Sequence, residues 1–177
     1  MSSRHKQTML VVGGCRSGKS SFAEAWASGR FTGKTYVATT LAGDDEEMQR
    51  RVAVHRQNRG ADWRTSEEPL NIAGVLRQQW RHTEVFLIDC LTLWLTNLLL
   101  QDLADEEILA RVDDLAAAIR ECPVSVVLVA NEVGLGIVPE APLARRFRDL
   151  AGWCNQRIGA CCDQVVFMAA GLPLYLK

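Results

Sequence analysis

The chain has no apolar run long enough to cross a membrane. Its most apolar stretch, Val85 to Leu100, is broken by Asp89, Cys90, Thr92, Thr96 and Asn97, short of the roughly 18 to 20 residues such a helix needs. A signal-peptide core is missing too, because only Met9 to Val12 is apolar between the polar leader and the first glycines. The expected location is therefore cytoplasmic, without membrane insertion, and the leader, residues 1–7, is expected to be disordered. An excess of one charge is also absent. Lys and Arg number 20 against 21 Asp and Glu, a formal net charge of -1, which disfavours a general nucleic-acid binder or a basic membrane-surface protein. The 6 cysteines form no CxxC pair and no Cys/His spacing suited to zinc. They read as small hydrophobes rather than metal ligands or disulfides. What remains is ordinary globular material, 48% hydrophobic and 23% charged over 177 residues. A chain of that length buries about 70% of its unfolded surface, which predicts one domain over residues 8–177.

Short β-rich apolar runs alternate with helix-length segments. Strands are expected at Thr8–Val12, Thr35–Thr39, Val85–Ile88, Val124–Ala130 and Val165–Ala169, with a terminal edge strand at Leu174–Leu176. Several are continuously apolar, the pattern of strands buried on both faces. Helices are expected at Lys19–Ser28, Asp44–Asn58, Asn71–Trp80, Leu91–Leu100, Asp105–Glu121 and Leu143–Cys162. Asp44 to Glu47 supply an acidic first turn, Pro123 ends the helix from Asp105, and Pro142 suits the first turn of the last helix. This alternation predicts an α/β fold: an open, mostly parallel sheet with helices on both faces, of the phosphate-loop NTPase type.

Gly13-Gly14-Cys15-Arg16-Ser17-Gly18-Lys19-Ser20 fits GxxxxGK[ST], after an apolar strand and at the start of a helix. That context is what gives the pattern meaning. Glycines let the backbone wrap phosphates, and successive N–H groups with the helix N-terminus supply positive potential. Lys19 is placed to reach the β- and γ-phosphates, and the Ser20 hydroxyl to help hold Mg2+. Val85 to Asp89 reads as an apolar strand ending in an acid, so Asp89 is the second candidate metal or nucleotide ligand. The guanine-reading NKxD pattern is absent, since Glu132 follows Asn131.

Within the helix expected over residues 44–58, Met48, Val52 and His55 share an inward face, and Arg51 and Arg59 lie four residues either side of the histidine. Neighbouring cations disfavour imidazolium, and the arginines offer charge for phosphates. Spacing alone leaves His55 open between a neutral nucleophile and a core or surface histidine. His5 and His82 carry no such pattern.

Together these residues resemble a known family, the bifunctional adenosylcobinamide kinase / adenosylcobinamide-phosphate guanylyltransferase of cobalamin biosynthesis. The resemblance runs from Met9 to about Phe167. It rests on GGCRSGKSSFAE (13–24), YVATT (36–40), DDEEMQRRVAVHR (44–56), WRTSEEP (63–69), LIDCLTLWLTNLL (87–99), NEVGLGIVPE (131–140) and RRFRDLAGWCNQ (145–156). It implies two reactions. A nucleoside triphosphate, ATP or GTP, phosphorylates the aminopropanol hydroxyl of adenosylcobinamide. The family's histidine then takes GMP from GTP and passes it to adenosylcobinamide phosphate. By motif the nucleophile maps to His55. Nucleotide contacts map to Gly13 through Ser20, to Ala38, Thr39 and Thr40, to Arg56, Gln57, Asn58 and Arg59, and to Glu67 and Asp89. Lys19 is the second catalytic residue, and a homotrimer is implied. The sequence departs from the expected pattern at Cys15, where a smaller residue is expected, and at Asp89, where some members carry Glu. The segment 131–140 reads either as a substrate-side loop or as a strand-exit turn. The alternative to the bifunctional enzyme is a phosphate-loop small-molecule kinase without guanylyltransferase activity. A third reading, from another class, is a regulatory nucleotide-binding module.

Overall fold

In a computed structural model, the structure describes residues 5–40 and 62–177. The expected helix over 44–58, with His55 and its arginines, lies outside the described residues. The order of elements is β1 (Thr8–Gly13), α1 (Lys19–Ser28), β2 (Lys34–Ala38), β3 (Trp63–Glu67), α2 (Ile72–Gln79) and β4 (Val85–Asp89). There follow α3 (Leu91–Leu99), α4 (Asp105–Glu121), β5 (Ser125–Asn131), α5 (Pro142–Cys161), β6 (Gln164–Ala169) and β7 (Leu172–Tyr175). Among the described residues seven strands form one sheet in the order β3-β2-β4-β5-β1-β6-β7. Every pairing is parallel except β6 with β7.

Alternate residues of the central strands go to opposite faces, as the pleat requires. Leu10, Val12, Phe86, Ile88, Val126 and Leu128 join a large core with α2 to α5. Met9, Val11, Val85, Leu87, Val127 and Val129 join a smaller one with Ala23, Trp26 and Ala27 of α1. Helix ends follow local chemistry. The Asn71 side chain accepts from Gly74 N at 3.0 Å to start α2. Glu107 reaches back to Ala104 N at 2.9 Å to start α4, and Pro142 opens α5. Arg146 to Asp105 and Arg157 to Asp113, both at 2.6 Å, dock α5 on α4.

Two expectations change. Trp63–Glu67 is a strand that the apolar pattern did not indicate, because it is a sheet-edge strand whose Arg64, Thr65 and Glu67 are exposed. The leader is also tied down at its end. Lys6 Nζ donates to the carbonyls of Ile119 and Arg120 at 2.8 Å, and Gln7 O accepts from Val126 N at 3.0 Å. Among the described residues no helix is long and apolar enough to cross a membrane.

Candidate active site

The phosphate loop leaves the carboxyl end of β1, in the middle of the sheet, and closes into α1. Its close packing explains its glycines. A Cβ on Gly13 would stand 2.5 Å from Met168 O, and Gly18 has φ 95°, a conformation that L side chains rarely adopt. Arg16 takes φ 55°. The turn between β6 and β7 braces the loop from the side, with Gly171 N donating to Ser17 O at 3.0 Å.

Lys19 is 7% exposed. Its Nζ donates to Gly14 O at 2.6 Å and lies 3.5 Å from Ser17 Oγ. Burial pulls its pKa down from the ordinary lysine value, and the nearby Asp89 carboxylate opposes that shift. The sequence reading set Asp89 beside the loop. In the sheet, β5 lies between β4 and β1, with Asp89 opposite Val129 and Gly13 opposite Asn131. Two strand spacings are about 10 Å, a span that the lysine side chain bridges electrostatically. Asp89 Oδ2 accepts from Tyr36 OH at 3.2 Å. The Ser20 hydroxyl and the Asp89 carboxylate are hard oxygen donors near a buried cation, the chemistry that Mg2+ with bound phosphates uses. Among the described residues no three His, Cys, Asp or Glu side chains gather as a metal cluster.

Beyond Asp89 the chain turns into α3 through a polar knot. Thr39 Oγ1 donates to Cys90 O at 2.9 Å and accepts from Cys90 N at 2.8 Å. Thr39 is fully buried, and its hydroxyl fixes the Cys90 backbone. Burial pushes the Cys90 thiol up to about 11, which keeps it neutral. Asn97 Nδ2 donates to Thr39 O at 2.7 Å and to Pro69 O at 3.0 Å. One amide therefore ties α3 to the exits of both β2 and β3. Thr92 Oγ1 accepts from Asn131 N at 2.7 Å and fixes the end of β5. Sequence reasoning missed Asn97 and Thr92. The one signal was a buried-type Asn inside the apolar run LTLWLTNLL. Ala38 and Glu67 end paired strands, in register with each other, and Thr40 is half-buried. At the carboxyl end of the sheet residues 38–40 and Asp89 leave the adjacent strands β2 and β4, residues 13–20 start two strands from Asp89, and Glu67 ends the edge strand β3, four strands from β1. Residues 55–59 lie outside the described part. Cys15 is exposed on the loop, and all 6 cysteines are free thiols.

A parallel sheet whose first strand runs into a glycine-rich loop, with a buried lysine at the head of a helix, defines a phosphate-loop nucleotide-binding protein. A sequence model of the cobinamide kinase / cobinamide phosphate guanyltransferase family matches residues 9–176. The chain belongs to that family. It is 49% identical over 172 residues to the bifunctional adenosylcobalamin biosynthesis protein CobP of Pseudomonas aeruginosa, covering 95% of this chain and 96% of that one. It is 40% identical to the corresponding CobU proteins of Escherichia coli and Salmonella typhimurium, covering 96% of this chain and 99% of each. By family it is an enzyme, a kinase and a nucleotidyltransferase of cobalamin biosynthesis. A KaiC-like protein of Pyrococcus horikoshii shares the fold at TM-score 0.50 with 17% identity, over 91% of this chain and 70% of that one.

Proposed function

We propose that this chain phosphorylates the terminal hydroxyl of adenosylcobinamide with a nucleoside triphosphate bound on Gly13 to Ser20. It then transfers GMP from GTP, through His55, to the adenosylcobinamide phosphate so made. The observation that carries the reading is the buried Lys19 at the head of α1, on which the Asp89 charge acts through space. In the first reaction the substrate hydroxyl oxygen attacks the γ-phosphorus, the bond to the β–γ bridging oxygen breaks, and nucleoside diphosphate leaves. Loop N–H groups and Lys19 hold the triphosphate and stabilise the charge on the transferring oxygens. Lys19 exchanges its Gly14 carbonyl partner for phosphate oxygen. Ser20 and Asp89 would hold Mg2+, which supplies further charge neutralisation on the phosphates when bound.

In the second reaction the neutral His55 imidazole attacks the α-phosphorus of GTP and pyrophosphate leaves. A phosphate oxygen of adenosylcobinamide phosphate then displaces the histidine, giving adenosylcobinamide-GDP. Covalent catalysis divides one difficult phosphate-to-phosphate transfer into two displacements. Arg56 to Arg59 and Glu67 complete the nucleotide contacts. We place the enzyme in the cytoplasm, as a homotrimer that binds neither nucleic acid nor membrane.

The test is His55→Asn incubated with α-labelled GTP. The folded variant, checked by thermal melting, is expected to make adenosylcobinamide phosphate and to carry no covalent GMP. Continued synthesis of adenosylcobinamide-GDP by that variant would show that another group is the nucleophile. No phosphorylation of adenosylcobinamide by the unaltered protein would overturn the kinase assignment itself.

A further inference from the structure

The connection from β5 to α5, residues 132–141, presents apolar side chains that the fold does not use. Leu135 is 80% exposed, Ile137 97% and Val138 60%, with Leu143 at 64% just inside α5. Such a cluster on a frayed loop would mean little, but this loop is held at several points. Glu132 N donates to Gly13 O at 2.9 Å, extending the β1–β5 ladder by one bond. Gly134 N donates to Glu132 Oε1 at 2.6 Å, Arg148 reaches Gly134 O at 2.7 Å, and Arg145 reaches Pro139 O at 3.0 Å. Exposed aliphatic surface on a loop pinned at both ends in this way marks a binding face.

Its position and charge narrow the occupant. The loop springs from Asn131, the partner of Gly13, so it stands at the mouth of the phosphate loop. From Val133 to Pro139 it carries no charged residue, so it offers nothing to pair with phosphate charge. It suits a large, weakly polar body whose surface bears methyl and amide groups, as at the periphery of the corrin ring of cobinamide. That body is bulkier than its co-substrate and must rest somewhere while one short arm reaches the γ-phosphate. The other run of exposed apolar residues, on β7, leads away. Tyr175 pairs with Val166, back toward the amino end of β6.

We propose that Leu135, Ile137 and Val138 form the apolar seat for the corrin macrocycle of the acceptor, an assignment that rests on the kinase reading above. Arg145 and Arg148 are its positioning residues, since each holds a loop carbonyl and neither belongs to the aliphatic cluster.

The double variant Leu135→Ser/Ile137→Ser tests the seat, and both positions are exposed enough for the fold to tolerate serine. The KM for cobinamide is expected to rise about tenfold or more, while the KM for nucleotide and kcat stay within about twofold. Leu135→Met/Ile137→Leu, which keeps the apolar surface, should restore the KM. A cobinamide KM within about twofold of the unaltered protein overturns the proposal. So does a fall in oligomer mass in the double variant, which would assign the face to a second copy of the chain. If the unaltered protein proves not to phosphorylate cobinamide, the kinase reading fails separately. Equilibrium retention of the coloured cobinamide by protein and variant then still decides the seat: equal retention refutes it, and weaker retention by the variant upholds it.

Discussion

Two loops leave neighbouring strands at the same edge of the sheet, in register at Gly13 and Asn131, and they are built on opposite terms. The phosphate loop packs so closely that a methyl group on Gly13 would strike Met168 O, and it buries its one lysine. The loop after β5 is also fixed by hydrogen bonds, yet Gly136 has open space around it and Ile137 is almost wholly in solvent. The difference follows from what each must meet. Phosphate charge is stabilised best by preorganised donors in a site that excludes water. A large, weakly polar body is held by surface left uncovered to receive it.

The largest effect expected from disturbing this contrast is at Lys19. Lys19→Ala removes the buried positive charge and should lower kcat/KM for phosphoryl transfer by about a thousandfold. Steady-state phosphorylation of cobinamide measures it, and a loss of less than about tenfold would take Lys19 out of the chemistry. Next comes the paired substitution of glycines. Gly13→Ala should cost about 2 kcal/mol and about 4 to 8 °C in Tm, through overpacking against the β6 backbone. Gly136→Ala should leave Tm within about 2 °C. Equal melting shifts for the two would erase the distinction between the loops.

The polar knot behind the site gives a third comparison. Asn97→Ala strips the buried Thr39 O and the half-buried Pro69 O of this donor. It should lower unfolding free energy by about 2 kcal/mol in urea titration. Unchanged urea stability would mean that other donors satisfy both carbonyls. The smallest effect is a reference away from both loops. The Arg77 guanidinium holds the Asp114 carboxyl below its ordinary value, chiefly through their hydrogen bond. With a depressed folded pKa, this stabilisation is present above the unfolded value near 4 and is lost as pH falls through the folded one. Both side chains are more than 40% exposed, so its size is below about 1 kcal/mol. Arg77→Ala should flatten stability between about pH 4 and pH 2 and leave nucleotide KM untouched. A pH profile that is unchanged by the substitution would show that the pair is screened out.

Much of this architecture was legible because burial leaves a linear trace. β1, β2, β4, β5 and β6 sit between two layers or beside covered neighbours, so their sequences are runs of apolar residues. Helix ends showed through residues with fixed backbone preferences, such as Pro142. β3 left no trace because an exposed edge strand is held by backbone hydrogen bonds that any side chain permits. The order of strands was equally invisible: nothing local to Asp89 says that β5 intervenes between it and Gly13. In the site, the phosphate loop was readable because one backbone path demands particular residues at short spacing. Thr92 and Asn97 were not, since what makes them matter is a partner 39 and 58 residues away in the chain. The segment 131–140 was read from its glycines and proline as either a substrate-side loop or a strand-exit turn, and the exposure of its aliphatic side chains was not legible.

The position of β1 bears on how the protein comes into being. Its two neighbours are Ser125–Asn131 and Gln164–Ala169, so the strand that carries the phosphate loop is synthesised well before either. At about 5 to 20 residues per second, the gap of more than a hundred residues lasts on the order of ten seconds. Throughout that interval TMLVVG is an unpaired apolar strand on a growing chain, the kind of segment that chaperones retain and aggregates recruit. Nucleotide cannot assist early, because Gly13 and Ser17 are braced by Met168 and Gly171. The nucleotide site is thus among the last parts of the molecule to exist. Defects in β6, far along the chain from Lys19, should surface in cells as low yield before they surface as slow catalysis.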